Sequence, residues 1–143
     1  MNDAGRLRAL AELIPILEAP DADFGRWETP QPRDGVHSLG WFEFGPTAER
    51  WREGVARGAW VIVGFDWRTW LETDEGRALK GGGDALAAAT LDQLGQLLTA
   101  IVRSDRLVEG SIEGAFESGL LAGISRRAAA LLDEEAARGD VDR

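Results

Sequence analysis

No cysteine occurs in this 143-residue chain. That excludes disulfides, thiolate nucleophiles and every zinc site that needs a Cys ligand. Tyrosine is absent as well, and His37 is the only histidine. One imidazole cannot make a two-histidine metal centre, and as a general base it would need an orienting partner that the sequence does not identify. No apolar run approaches the ~18 residues of a membrane span. The first twenty residues contain Asp3, Glu12, Pro15 and Glu18, and so lack the clean apolar core of a signal peptide. Basic residues are in deficit, 16 against 25 acidic ones, for a net charge of −9. A chain that lies along phosphates needs a basic stripe, because counterion release drives that binding. Here the acidic excess is spread over both halves, so neither nucleic acid nor a membrane is expected as a partner. Lysine is nearly missing: Lys80 stands alone among arginines. The bias reads as the codon usage of a GC-rich bacterial genome. No metal and no cofactor is expected, and the plain expectation is one domain, residues 1–143, in the cytoplasm, frayed over about 136–143.

The 44% of hydrophobic residues is distributed in recognisable periods. Leu7, Leu10, Ile14 and Leu17 share a helical face, interrupted by Pro15. The stretch 20–35 reads as loop with a short strand at Phe24–Glu28, and Val36 to Phe44 favours strand. Thr47 starts a helix that buries Trp51 and Val55 and ends at Gly58. Ala59 to Val63, AWVIV, has the strongest strand pattern in the chain, a continuous apolar run that suggests burial on both faces. Asp66 is placed to cap a helix beginning at Trp67. Gly81-Gly82-Gly83 lacks the Lys-Ser/Thr of a phosphate loop and follows a helix, so it reads as a flexible linker. Thr90 with Gln93 is a capping box, and further helices are expected over about 111–118 and from Leu120 onward. Strands in the first half and helices in the second predict an α+β fold: a sheet of two to three strands covered by helices, with a helical C-terminal half.

Charge beside apolar helix is the most informative local feature. Arg103, Asp105, Arg106, Glu109 and Glu117 crowd a segment that otherwise reads as buried helix, where an unpaired charge is costly. Arg103 and Arg106 are therefore expected to contact Glu109, Glu117 or Asp66, with Asp105 turned toward capping the next element. Glu109, Glu113 and Glu117 recur every four residues, but Gly110 and Gly114 interrupt the helix such a column needs. Small residues at 110/114 and 119/123 require a geometric reason, and tight turns at 110 and 119 would explain two of the four. All six tryptophans lie in the first half, where most should be core.

Two elements, Phe65-Asp66-Trp67-Arg68-Thr69-Trp70 and Arg103 to Gly110 with Phe116 to Gly119, carry a resemblance. The chain resembles a family of small bacterial proteins of unknown function marked by F-D-W-x-x-W and R-x-D-R-x-x-E-G…F-E-x-G. The resemblance implies no activity. No nucleophilic triad, metal set or dinucleotide loop is present, so the leading reading is a non-catalytic cytoplasmic binding or interaction domain. The alternative is a small enzyme or ligand-binding protein with an Arg/Glu/Trp-lined pocket for an anionic small molecule, built from Asp66, Trp67, Trp70, Arg103, Arg106, Glu109 and Glu117. The partners left open are a second copy of the chain, as a homodimer, and that small anion.

Overall fold

Pro15 divides the first amphipathic stretch. Helix α1 (Asp3–Ala11) is capped by the Asn2 side chain, which accepts from Gly5 N–H at 2.9 Å. Helix α2 (Ile14–Leu17) starts afresh with Pro15 in its first turn, where the missing N–H is not needed. The computed structural model describes residues 1–29 and 40–141; His37 and the first part of the predicted strand from Val36 lie outside the described residues. Strands β1 (Gly25–Glu28) and β2 (Trp41–Phe44) pair antiparallel, with Trp27 opposite Phe42. Pro46 at the first helical position and Gly58 at the C-cap bound α3 (Pro46–Arg57), which buries Trp51 and Val55. The Thr47 hydroxyl accepts from Asp23 N–H at 3.0 Å, tying the start of that helix to the approach of β1.

The predicted strand Ala59–Val63 does not form. The segment is irregular, with Ala59 at φ 51° and Gly64 at φ 78°, and Val63 is 88% exposed. Trp60 alone goes fully into the core; its indole N–H donates to Arg6 O at 3.2 Å, and the Arg6 guanidinium lies 4.3 Å from the ring centroid. A five-residue apolar run does not distinguish a strand from an irregular segment that drops one large side chain inward. A side chain takes the place of a ladder here: Ile62 N–H donates to the buried Thr99 hydroxyl at 2.9 Å.

Asp66 caps α4 (Trp67–Glu72), and Thr73 ends that helix and caps α5 (Asp74–Lys80) through Gly76 N–H. The triple glycine makes the turn from α5 into α6 (Gly83–Ala87), with Gly82 and Gly83 at φ 75° and 59°. The capping box closes as expected, Gln93 N–H to Thr90 Oγ1 at 3.1 Å and Thr90 N–H to Gln93 Oε1 at 2.9 Å, and opens α7 (Leu91–Asp105). Left-handed turns at Gly110 (φ 102°) and Gly119 (φ 84°) precede α8 (Ser111–Glu117) and α9 (Leu120–Val141). Helix α9 lies along α1 and closes the core with α7, where Leu10, Leu94, Leu98, Leu121 and Ile124 are buried. The fold is α+β, a two-stranded sheet in the N-terminal half with a helical C-terminal half. Among the described residues no helix is long and apolar enough to cross a membrane.

Candidate functional site

The charged element at the end of α7 grips the hairpin. Gly45 N–H donates to Phe24 O at 2.9 Å, so in the observed register Trp27 and Phe42 form a pair whose N–H groups point outward. The Phe42 N–H is met there by Glu109 Oε1 at 2.8 Å, which covers the outer edge of β2. Gly110 lies under the Trp27 indole; a Cβ at this position would come within 2.8 Å of the ring. Phe116 of α8 stacks on Phe24, with centroids 4.3 Å apart and planes 7° from parallel. Asp105 accepts from Gly110 N–H and Ile112 N–H, each at 3.1 Å, and so serves as the remote cap of α8. Four members of the element are thus occupied in fastening the hairpin to the helices.

The expected brace between arginines and carboxylates is not made. Among the described residues, Arg103 and Arg106 take part in none of the ion pairs. Arg103 is half-buried and Arg106 exposed, so water solvates what a carboxylate was expected to hold. The acids are committed elsewhere: Asp105 and Glu109 to backbone N–H groups, Glu117 to the neighbourhood of Glu113 on α8. Partial burial first, then the Glu117 carboxyl, push the Glu113 carboxyl above its usual range, while the Trp27 indole pulls the other way. Among the described residues no three His, Asp or Glu side chains gather as a metal set.

The aromatic element is a separate cluster. Asp66 accepts from Thr69 O–H (2.7 Å) and Thr69 N–H (3.3 Å), which hold its carboxyl below the ordinary value. Trp70 is buried, sets its ring edge-on to Phe65 at 6.0 Å, and donates to Glu75 Oε2 at 2.9 Å. Glu75 also accepts from Gln93 Nε2 at 2.7 Å; the two donors, Gln93 foremost, lower its carboxyl. Trp67 is half-buried, with the Arg68 guanidinium 5.4 Å from its ring. No hydrogen bond or ion pair joins Asp66, Trp67 or Trp70 to Arg103, Arg106, Glu109 or Glu117 among the described residues. Gln93, which ties down this cluster, and Arg103 are ten residues apart on α7, about 15 Å along its axis. Of the seven predicted site residues, Arg106 lines a small hollow of about 200 Å³ floored by Trp51, Val55 and Val102.

Two further concavities lie elsewhere. A hollow of about 670 Å³ opens between the glycine turn and α9, with Lys80, Arg126 and Arg127 on its walls. A second, of about 340 Å³, runs between α7 and α8 over Leu97, Ile101, Gly114 and Ala115. Lys80, Ser118 and Leu120 line both, so the two abut across those residues. Among the described residues neither lining includes an Asp or Glu. Behind the first hollow Arg126 is paired with Glu18; Arg127 donates to Ala89 O at 2.8 Å and lies 3.3 Å from Glu134. Lys80 is exposed and is the charged residue common to both linings.

The model of a family of unknown function (DUF6508) matches residues 2–134. The chain belongs to this family. No curated protein and no solved structure matches the chain. The matched range takes in both sequence elements and the whole cleft around Lys80. Sequence reasoning missed Lys80, Arg126 and Arg127. The available signal was a lone lysine against three glycines, with an Arg pair downstream, but nothing local in the sequence indicates that α5 and α9 face one another.

Proposed function

We propose that this family member is a non-catalytic binding domain of the bacterial cytoplasm that takes a small anionic molecule in the cleft around Lys80. One observation carries the reading: in a chain of net charge −9, a hollow of about 670 Å³ is lined, among the described residues, by three cationic side chains and no acidic one, with Glu18 and Glu134 meeting Arg126 and Arg127 from outside the lining. Like-signed walls of low dielectric focus the field and concentrate ions of opposite charge, and the volume falls in the range of small-molecule sites, about 300–1,000 Å³. Arg103 and Arg106, which enter no ion pair among the described residues, are the remaining candidates at the C-terminal end of α7. Mass spectrometry of small molecules retained by the purified chain tests the reading. Anionic species should be enriched on the wild type and lost from Lys80→Glu; equal retention by both, or none by either, refutes it.

A second reading, a homodimer through the hairpin end, is supported by four exposed apolar side chains. Trp27 and Trp41 lie on the hairpin, and Leu107 and Val108 on the loop that grips it. Sedimentation over a range of concentrations decides: a dimer lost in Trp41→Ser with Val108→Ser supports it, and a monomer throughout eliminates it.

A further inference from the structure

Gly114 is a glycine without a packing reason. It sits inside α8, where glycine is less favourable than alanine, and its backbone is helical. A Cβ built on it would meet nothing within 4 Å. The glycines around it are explained: Gly110 and Gly119 by positive φ, Gly123 by Leu86, whose Cδ2 would lie 2.8 Å from an added Cβ. Gly114 lines the hollow between α7 and α8.

The chemistry of that hollow is apolar although three serines line it. Ser104 donates to Ile101 O at 3.1 Å, Ser111 to Val108 O at 2.9 Å and Ser118 to Ala115 O at 3.2 Å. With their protons turned toward backbone carbonyls, the walls ask little of an occupant beyond shape and hydrocarbon. Lys80 stands where this apolar hollow abuts the cationic one.

We propose that the ligand is a single-chain amphipathic anion, its charged head beside Lys80 and Arg126 and its hydrocarbon chain in the α7–α8 hollow that Gly114 keeps open. The proposal rests on the anion-binding reading above and adds the chain. A carboxylate and a phosphate monoester share this chemistry, and the probes separate them.

Calorimetric titration of the full chain with monomeric decanoate, decyl phosphate, decanol and inorganic phosphate tests it. One of the two amphipathic anions should bind at least about tenfold more tightly than inorganic phosphate, since each buried methylene adds severalfold, and more tightly than decanol. Gly114→Leu should remove that advantage and leave phosphate binding as it was; Lys80→Glu should weaken both. Urea denaturation confirms that each variant is folded, and Gly114→Ala serves as a smaller plug if Gly114→Leu is not. Phosphate binding as tight as that of decyl phosphate and decanoate, or a Gly114→Leu variant that binds like wild type, overturns the chain and leaves the anion site standing. Decanol binding as tightly as decanoate overturns the charged head. No binding by any anion overturns the anion site itself.

Discussion

Replacing Thr99 by valine tests what holds the segment that failed to become a strand. The Thr99 hydroxyl is fully buried; it accepts from Ile62 N–H at 2.9 Å and gives its own proton to Gly95 O at 2.7 Å. Valine keeps the branched shape and substitutes a methyl group for the hydroxyl. Gly95 O retains its place in the helix ladder, but Ile62 N–H loses its acceptor. Stranding such a donor costs about 1–3 kcal/mol. Ile62 is 38% exposed, so water recovers part of the loss, and the extra methyl recovers a little more. The net expectation is about 1–2 kcal/mol, or a fall of roughly 3–6 °C in Tm for a chain of this size. Urea denaturation should show a lower midpoint with unchanged slope, and exchange of the Ile62 amide should accelerate. Thr99→Ser, which keeps the hydroxyl, should lose stability without releasing that amide. A Thr99→Val protein as stable as wild type, its Ile62 amide still protected, would show that the segment is held by backbone pairing after all.

Glu109→Ala should expose the outer edge of β2, lowering stability by about 1 kcal/mol and accelerating exchange of the Phe42 amide; Glu109→Gln, which keeps an acceptor, should do neither to the same degree. Unchanged Phe42 exchange in the alanine variant would break the link between the α7–α8 loop and the hairpin. Trp70→Ala should cost about 3–5 kcal/mol, since it removes a buried ring together with its bond to Glu75; near-wild-type stability would return Trp70 to the list of surface residues. Glu113 carries a raised carboxyl in the folded chain, so its ionised form opposes folding at neutral pH. That penalty lifts as pH falls through the folded value toward the ordinary one. Glu113→Gln should therefore stabilise by about 0.2–0.5 kcal/mol at pH 7, with the gain disappearing near pH 4, and a gain equal at both pH values would refute the assignment.

Local signals were legible wherever the physics is local. The Thr90–Gln93 box, the Asp66 cap and the Pro15 break each depend on residues within four positions of one another, and each stands as the sequence predicts. Sheet content was legible too, although AWVIV has a stronger strand pattern than WFEF and only the latter pairs. Burial of Trp60 against α1 and α7 overrides that pattern, and a partner 37 residues away satisfies the backbone. The tryptophan expectation splits for a similar reason: Trp51, Trp60 and Trp70 are core, whereas Trp27 and Trp41 ride on a hairpin with one side open. The cleft left almost no trace. Its walls come from α5, the glycine turn, α6 and α9, and only their packing places Lys80 and Arg126 around one hollow.

The charged element is best understood as a bracket with two faces. Toward the sheet, Glu109, Gly110 and Phe116 hold β1 and β2, and Asp105 fixes the turn that aims them. Toward the helices, the same Gly110 and the adjoining Ser111 form one wall of the α7–α8 hollow. A motif can therefore be architectural in each of its contacts and still determine the shape of a site it does not touch chemically. Gly114 lies one turn beyond the bracket, on the helix that the bracket orients, and lines the same hollow. Of the seven charged and aromatic residues marked out by the sequence, Asp66, Trp70 and Glu109 help to fasten the fold, whereas Arg103 and Arg106 enter no ion pair among the described residues. The cleft that the fastening leaves open is lined by residues with no sequence pattern of their own.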